Sequence, residues 1–212
     1  MDKSIGLRMS VQKILLLTRQ DSIPDILPPL SKFGDVTVLT GDQKMKLSDI
    51  KVNYDIGVSF SYAPIIEKKI LDSIHFDIVN VHPTFLPFGR GIYPILWSAV
   101  MGNPQGASIH QIDGGIDTGP IYSRTEVKLN EQNTLEQCRE ILISKAKFLL
   151  LDNFSSIVSG ELRPTQQSDF GPRQLYRSRQ EGLKLLSNFP KKWDTTLKEL
   201  ADFGKFYEDL KS

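Results

Sequence analysis

Short apolar runs rich in strand-forming residues alternate with amphipathic stretches along the first eighty residues of the chain. The runs lie at residues 11–18, 35–39, 54–60 and 77–82. Because they are apolar almost throughout, they predict strands buried on both faces, as in a parallel sheet. Helical spacing separates them at residues 23–33 and 64–74, although Pro28 and Pro29 must disturb the first helix. This alternation favours an α/β fold with a doubly wound, mostly parallel Rossmann-like sheet.

The middle of the chain adds a helix, two strands and a long helix to this pattern. The first three are predicted over residues 92–101, 107–112 and 121–129. Thr134 and Gln137 have the spacing of a capping box, which predicts that the long helix begins there. Gly160 marks its expected end, since glycine commonly follows the last turn of a helix.

The composition becomes polar after Pro164, with one further helical pattern over residues 193–210. The tail still carries enough apolar residues to fold against another surface, so disorder is not expected. We therefore expect a domain over residues 1–160 and a C-terminal extension over residues 161–212. The extension is expected to pack on this domain or, in a homodimer, on a partner subunit.

Composition and charge limit the classes to which the chain can belong. With 212 residues, 40% of them hydrophobic, it can form a substantial core. Lys and Arg total 26 against 25 Asp and Glu, so the net charge of +1 predicts no nucleic-acid partner. Residues 1–10 lack the apolar stretch of a signal peptide, and no segment reaches the ~18 apolar residues of a spanning helix. Because Cys138 is the only cysteine, no internal disulfide is possible, and we expect a cytoplasmic protein without membrane insertion.

One motif places an amide and an imidazole at the end of the fourth predicted strand. It reads Asn80-Val-His82-Pro-Thr-Phe-Leu-Pro87. Asn80 and His82 are two residues apart in extended chain, so their side chains point the same way. Pro83 and Pro87 stop the strand and stiffen the loop that follows. Because ligands of open α/β sheets collect outside the carboxyl ends of the strands, this pair is expected to face a cleft.

A second motif, about thirty residues later, supplies a carboxylate. It reads Asp113-Gly-Gly-Ile-Asp117-Thr-Gly119 and is expected to form a tight exposed connection, because glycine permits positive φ. It brings Asp117 to the same cleft if the strand over residues 107–112 lies beside the Asn80 strand. A histidine oriented by a carboxylate can act as general acid or base, and an Asn amide can donate to a developing oxyanion. These groups suit the transfer of an acyl carbon onto an amine.

Together the two motifs resemble those of the folate-dependent formyltransferases, whose sites carry Asn-x-His-Pro-(Ser/Thr)-x-Leu-Pro and a later loop that ends in Asp-(Thr/Gly)-Gly. The resemblance covers roughly residues 11–160. It implies the formyltransferase fold and formyl transfer from 10-formyltetrahydrofolate to a primary amine, with Asn80, His82 and Asp117 in the catalytic positions. Asn80 and His82 would stabilise the oxyanion, while Asp117 would orient His82 and help to relay the amine's proton. The resemblance requires no metal and no covalent enzyme intermediate.

The resemblance also implies contacts to both substrates. Folate contacts are implied for the turn residues Tyr62, Ile65 and Ile66 and for the loop residues Asp113, Gly114, Gly115 and Ile116. Candidate acceptor contacts are Arg90, Tyr93 and His110, with the tail arginines Arg173 and Arg177 as further partners for a diphosphate. Three alternatives stay open: Arg90 as a solvated loop charge, Tyr93 as a core residue, and His110 as either a catalytic residue or a packing neighbour of the site.

Three acceptor classes within the family compete. Methionyl-tRNA formyltransferases carry a basic C-terminal domain, whereas about fifty residues follow Gly160 here and the charge is near neutral, so a tRNA substrate is not expected. Glycinamide ribonucleotide transformylases carry a glycine-rich phosphate loop after the first strand, but residues 18–24 contain no glycine. Residues 86–94, with Trp97 and Ser98, resemble the loop and helix of sugar-nucleotide N-formyltransferases best. We expect a nucleotide-linked amino-deoxy sugar for surface polysaccharides, with glycinamide ribonucleotide as the alternative.

Two functions outside this set remain. A sugar-nucleotide-binding protein could use the same fold without catalysis, although a binder has no need of the arrangement of Asn80, His82 and Asp117. Hydrolysis of formylfolate uses a similar site with water as the acceptor, but such hydrolases usually carry an additional regulatory domain.

Overall fold

The fold is built on one six-stranded sheet. A computed structural model describes residues 12–41, 44–50, 52–171 and 177–206 of the chain. The strands are β1 Gln12–Thr18, β2 Gly34–Thr40, β3 Ile56–Phe60, β4 Ile78–His82, β5 Gly106–Gln111 and β6 Ile121–Glu126. Their order is β2-β1-β3-β4-β5-β6. The first four are parallel to one another, and β5 is antiparallel to both of its neighbours, β4 and β6. The predicted α/β fold with a mostly parallel sheet is confirmed.

Six α-helices surround the sheet in the described part of the chain. They are α1 Ile23–Leu30, α2 Lys68–Leu71, α3 Pro94–Val100, α4 Leu135–Val158, α5 Arg179–Ser187 and α6 Leu197–Phe206. Thr134 and Gln137 form the predicted capping box of α4. The prediction of a helix over residues 64–74 is wrong in extent, because Glu67 is extended (ψ 139°) and α2 begins only after it. The prediction that the last helix begins at Trp193 is also wrong, since that residue lies in a separate 3-10 turn.

Helix α4 covers one face of the sheet and shares its core with alternate strand residues. Val79 and Val81 of β4 pack in this cluster together with Leu150 and Phe154 of α4. Each of these fully buried apolar side chains contributes about 1.5–3 kcal/mol through the hydrophobic effect. The intervening residues of β4 face the opposite side of the sheet, where Ile78 packs in a second cluster with Leu15, Leu17 and Ile70. The sheet therefore separates the α4 side from the side on which Asn80 and His82 lie.

The described part of the C-terminal extension packs on the same chain. Leu185, Leu186, Phe189 and Leu200 form a third apolar cluster with residues of α3 and α4. Cys138 is buried in this cluster, and burial raises the pKa of its thiol to about 11, which fits a packing residue rather than a nucleophile. The division into a domain and an extension, and the homodimer, stay predictions. Among the helices described, none has the length and apolar character needed to cross a membrane.

Candidate active site

The candidate site forms where β4 and β5 pair in antiparallel orientation. Asn80 lies opposite His110, and His82 lies opposite Ser108. Since alternate residues of β4 face opposite sides of the sheet, Asn80 and His82 share the face away from α4, as their spacing predicts. Asn80 and His110, which are thirty positions apart in the sequence, are therefore direct cross-strand neighbours.

His110 is buried between the side chains of Asn80 and Asp117. Its Nδ1 lies 2.8 Å from the carbonyl oxygen of Gln111, and its Nε2 lies 3.2 Å from Nδ2 of Asn80. In the neutral ring, Nδ1–H therefore donates to Gln111 and Nε2 accepts from the Asn80 amide. Oδ1 of Asp117 is 3.6 Å from the same Nε2, so a proton bound there faces a carboxylate. The geometry suits His110 to accept and release a proton at Nε2.

Asp117 reaches the histidines from a backbone in the left-handed region, with φ of 51°. Its Oδ2 accepts a hydrogen bond from the backbone N–H of Gly91 at 2.8 Å and lies 3.9 Å from Nε2 of His82. Burial by itself raises the pKa of the Asp117 carboxyl, but the charges of His82 and His110 and the bond from Gly91 outweigh it. The pKa consequently falls below its ordinary value. Asp117 is therefore a buried carboxylate at neutral pH.

The ring of His82 is fixed by the loop that follows β4. Its Nε2 lies 3.1 Å from the carbonyl oxygen of Gly89, to which Nε2–H donates. The same loop is held to β5, because the backbone N–H of Leu86 donates to Oγ of Ser108 at 3.0 Å. Asp117 makes no direct hydrogen bond to His82 at 3.9 Å, so Gly89 supplies the bond that orients this ring.

The two segments implied as folate contacts lie next to each other. Ile66 is buried in the cluster that contains Ile78 of β4, and Ile112 packs against the same cluster. A Cβ atom at Gly114 would lie 3.3 Å from Cδ of Lys68, at the start of α2. The turn after β3 and the loop after β5 thus meet on the face of the sheet that carries the site.

Individual residues of these segments differ in accessibility. Ile65 is a large apolar side chain that is 62% exposed. Tyr62 is half-buried, and its hydroxyl accepts a hydrogen bond from the backbone N–H of Met45 at 3.0 Å. Asp113 folds back on its own loop and accepts from the backbone N–H of Gly115 at 2.9 Å. Gly114 and Gly115 are exposed, and Ile116 is half-buried.

The structure does not place Arg90 in solvent. Arg90 is only 3% exposed. Its Nε and one terminal nitrogen donate to Oε1 of Gln167. The alternative of a solvated loop charge is therefore wrong, because the following tail covers this part of the loop. A direct contact between the Arg90 guanidinium and the acceptor stays a prediction.

The other candidate acceptor contacts are held by neighbouring residues. Tyr93 packs against Trp193, with ring centroids 5.9 Å apart. The guanidinium of Arg177 lies over the ring of Trp97, 4.7 Å from its centroid. Arg173 lies outside the described residues. Acceptor contacts by Tyr93 and Arg177 stay predictions.

A cavity of about 740 Å³ opens at the carboxyl ends of β1 and β3, one strand away from His82. Arg19 and Ser61 line it from the loops after these strands, Arg139 and Lys147 from α4, and Trp193 from the tail. Four carboxylates also line it: Asp21, Asp25, Glu136 and Glu140. Three cations and four anions give a formal charge of −1, and both arginines are already paired with exposed carboxylates. Because such exposed pairs are worth only about 0–1 kcal/mol, a ligand anion can displace the carboxylates.

Sequence reasoning missed Gln167 and the α4 wall of the cavity. Gln167 stands in a polar stretch with no periodicity that marks it as buried. Arg139 belongs to the polar face of α4, which a sequence assigns to solvent by default. Over the described ranges, no group of three or more His, Cys, Asp or Glu is arranged to hold a metal ion. The expectation of a reaction without metal stays a prediction.

Comparisons of sequence and of structure both point to one protein family. A family model described as formyl transferase matches residues 15–152. The solved structure of the formyltransferase PseJ from Anoxybacillus kamchatkensis has a TM-score of 0.78 and is 31% identical, covering 91% of this chain and 99% of that one. That protein was crystallised with UDP-4,6-dideoxy-4-formamido-L-AltNAc and tetrahydrofolate.

Curated relatives include enzymes with two different acceptors. The dTDP-4-amino-4,6-dideoxyglucose formyltransferase of Mycobacterium bovis is 26% identical over 171 residues, which is 81% of this chain and 68% of the relative. The methionyl-tRNA formyltransferase of Clostridium novyi is 32% identical over 125 residues, 58% of this chain. The chain matches 40% of the length of that tRNA-specific relative.

Proposed function

This chain belongs to the formyl transferase family, and we propose that it transfers a formyl group from 10-formyltetrahydrofolate to the amino group of a nucleotide-linked amino-deoxy sugar. The observation that carries the proposal is the convergence of Asn80, His82, His110 and Asp117 at the β4–β5 pair. The likeness to PseJ over nearly its whole length supports a sugar-nucleotide acceptor. Formylated sugars of this kind would serve surface polysaccharides.

The proposed roles follow from the hydrogen-bond directions in the site. When bound, 10-formyltetrahydrofolate supplies the formyl carbonyl on a leaving nitrogen. Asn80 Nδ2–H donates to the formyl oxygen as it gains negative charge, and His82 on the same face is a second donor when protonated. His110 accepts a proton from the attacking amine at Nε2, and Asp117 stabilises the resulting imidazolium. The same proton is then released to the departing folate nitrogen, so the enzyme returns to its starting state.

The turn after β3 and the loop after β5 fit the folate in this proposal. Ile65 presents an exposed apolar surface that an aromatic ring can cover, and Gly114 lets a ligand approach the loop without a side chain in between. Both segments lie on the Asn80 side of the sheet. Backbone groups around Ile66 and in residues 113–116 would bind the polar edge of the pterin.

The cavity beside Ser61 is the place that we propose for the nucleoside diphosphate. The cavity lies at the carboxyl ends of β1 and β3, and β3 pairs with β4, so a sugar that extends from it passes the end of one strand to reach the catalytic residues. Arg19 and Arg139 provide guanidinium groups that can bind phosphate oxygens in bidentate fashion once their exposed carboxylate partners are displaced. Trp193 offers an aromatic surface for the base.

An acceptor panel tests this proposal. The protein is incubated with 10-formyltetrahydrofolate and, separately, a UDP-linked and a dTDP-linked 4-amino-4,6-dideoxyhexose, glycinamide ribonucleotide and methionyl-tRNA. Mass spectrometry then detects the formylated acceptor. We expect the highest kcat/KM with an amino-sugar nucleotide. Methionyl-tRNA is included because some relatives are methionyl-tRNA formyltransferases. The highest kcat/KM with methionyl-tRNA or with glycinamide ribonucleotide would refute the assignment of a sugar acceptor.

Two controls separate the remaining functions. Release of tetrahydrofolate without any acceptor would indicate hydrolysis of formylfolate. Binding of the sugar nucleotide without formyl transfer would indicate a binding protein on the same fold.

A further inference from the structure

Gln167 connects the two loops that hold the candidate catalytic residues. It lies in the C-terminal extension, at the start of a 3-10 turn over Gln167–Phe170, and its side chain is buried. Its Nε2 donates to the carbonyl oxygens of Asp117 and Gly119, at 2.9 and 2.8 Å. Its Oε1 accepts from Nε of Arg90 at 3.2 Å and from a terminal nitrogen of the same guanidinium. Both donors and both acceptor positions of the amide are therefore used.

The bonds from Arg90 to Gln167 begin one residue from two backbone groups that orient the site. Arg90 stands between Gly89, whose carbonyl oxygen accepts from His82, and Gly91, whose N–H donates to Asp117. The other half of the amide holds the backbone of Asp117 itself. Gln167 thus joins the loop that fixes His82 to the turn that presents the carboxylate.

The Asp117 turn needs such an anchor. Its φ of 51° lies in the left-handed region, which is less favourable than ordinary backbone for an L residue, although Asp adopts it more readily than most. A residue persists there only when its surroundings hold it. Gln167 binds the carbonyl of this residue and that of Gly119 at once, and so restrains both ends of the turn.

The extension itself is fixed firmly enough to act as an anchor. The backbone of Thr165 pairs with Ile121 of β6, with N–H to carbonyl distances of 2.8 Å in both directions. Phe170 covers the guanidinium of Arg124, whose Cζ lies 3.9 Å from the ring centroid. Gln167 lies between these two contacts.

We infer that Gln167 is a positioning residue for formyl transfer: it sets the place of the Asp117 carboxylate relative to His82 and His110. The inference rests on the proposed function, because it assigns Gln167 an effect on that reaction. It also assigns the C-terminal extension a part in the active site, although none of its described residues belongs to the two sequence motifs.

Two replacements of Gln167 separate its halves. Gln167→Glu keeps the size and can still accept from Arg90, but it has no N–H for the two carbonyls. Gln167→Met keeps the shape without hydrogen bonds and without added charge. The same replacements at Gln166, which is exposed, provide matched controls. Either Gln167 variant alone is informative if the other fails to fold.

Steady-state kinetics with the acceptor found above is the first measurement. We expect both Gln167 variants to lower kcat at least ~10-fold, with KM for each substrate within ~2-fold, because the carboxylate is misplaced while the binding surfaces remain. In an Asp117→Asn background, Gln167→Glu should cause less than a ~2-fold further loss, since the two residues act through one interaction. Unchanged kcat, a rise in KM alone, or fully additive losses would overturn the inference.

A second measurement does not depend on turnover. The chain has three histidines, so the ring ¹⁵N signals can be assigned by single replacements. Gln167→Met should shift the signals of His82 and His110 while exposed His75 stays unchanged, and Gln166→Met should shift none. Unchanged His82 and His110 signals would overturn the positioning role. If the wild-type protein formylates no acceptor, the proposed function fails, and these signals still decide whether Gln167 places the carboxylate.

Discussion

Replacement of Asp117 by Asn removes one charge from the centre of the site and leaves the side-chain size nearly unchanged. The Asn oxygen can still accept from the Gly91 N–H, so the loop keeps its main bond. What is lost is the negative charge that lies 3.6 Å from His110 and 3.9 Å from His82. We expect turnover to fall at least ~100-fold.

The distances set the size of this effect. Two unit charges about 4 Å apart interact by about 4 kcal/mol at an effective dielectric constant of ~20. Each 1.36 kcal/mol corresponds to a factor of ten in rate, so full loss of this stabilisation of an imidazolium amounts to about 1,000-fold. The amide dipole of Asn recovers part of it, and this leaves the lower bound of ~100-fold.

The assay measures kcat with saturating 10-formyltetrahydrofolate and amino-sugar nucleotide, and circular dichroism confirms that the variant is folded. Asp152→Asn, at an exposed position of α4, removes the same charge far from the strand ends and should retain wild-type turnover. Turnover of the folded Asp117→Asn protein within ~5-fold of wild type would show that no imidazolium depends on this carboxylate.

Four further predictions concern other residues of the site and the pH dependence of stability. Asn80→Ala and His82→Ala should each lower kcat at least ~100-fold in folded protein, and near-normal turnover would remove that residue from the mechanism. 5-Formyltetrahydrofolate at 100 times its Kd should stabilise the protein against thermal unfolding by about 2.7 kcal/mol, with or without chelator. Ile65→Asp should weaken this stabilisation, and its absence in the wild type would contradict the folate site. Arg139→Gln should raise KM for the sugar nucleotide ~5-fold or more with kcat nearly unchanged, whereas an unchanged KM would place the diphosphate elsewhere. The pKa of Asp117 is lower in the folded protein than in the unfolded chain, where it is about 3.9, so the carboxylate stabilises the fold above pH ~4. This stabilisation is lost as the pH falls through the pKa of the folded state. The free energies of urea unfolding of wild type and Asp117→Asn should therefore differ most at neutral pH and converge in acid.

The parallel strands were predictable because their information is local. The runs of β1, β3 and β4 are largely buried, as predicted, and the spacing of Asn80 and His82 within one strand fixes their common face. The prediction of burial on both faces is wrong for the run at 35–39, because β2 is an edge strand without a buried residue. Helix α5 has a local signal that the pattern of hydrophobic positions does not reveal, because its apolar content is only moderate. That signal is the capping-box spacing of Ser178 and Glu181, and the structure forms this capping box.

Other features of the site depend on contacts between distant segments. Nothing near Arg90 indicates that a residue of the tail covers its guanidinium, and nothing near Gln167 indicates that it binds a turn fifty positions earlier. The sequence leaves two alternatives for His110, because its distance from Asn80 depends on the antiparallel pairing of β4 with β5. The loop after β5 carries Asp117 to this pair, but the sequence does not state where its backbone is anchored.

The bond between Gln167 and Asp117 also sets an order of events during protein synthesis. Ribosomes add about 5–20 residues per second, and domains form as their segments emerge. The fifty residues from Asp117 to Gln167 therefore take about 3–10 s to appear. During that interval a nascent chain can already pair β4 with β5, yet the turn that carries the carboxylate has no tail residue to hold it. Catalytic competence is thus expected to arise only once Gln167 has emerged, after the sheet itself.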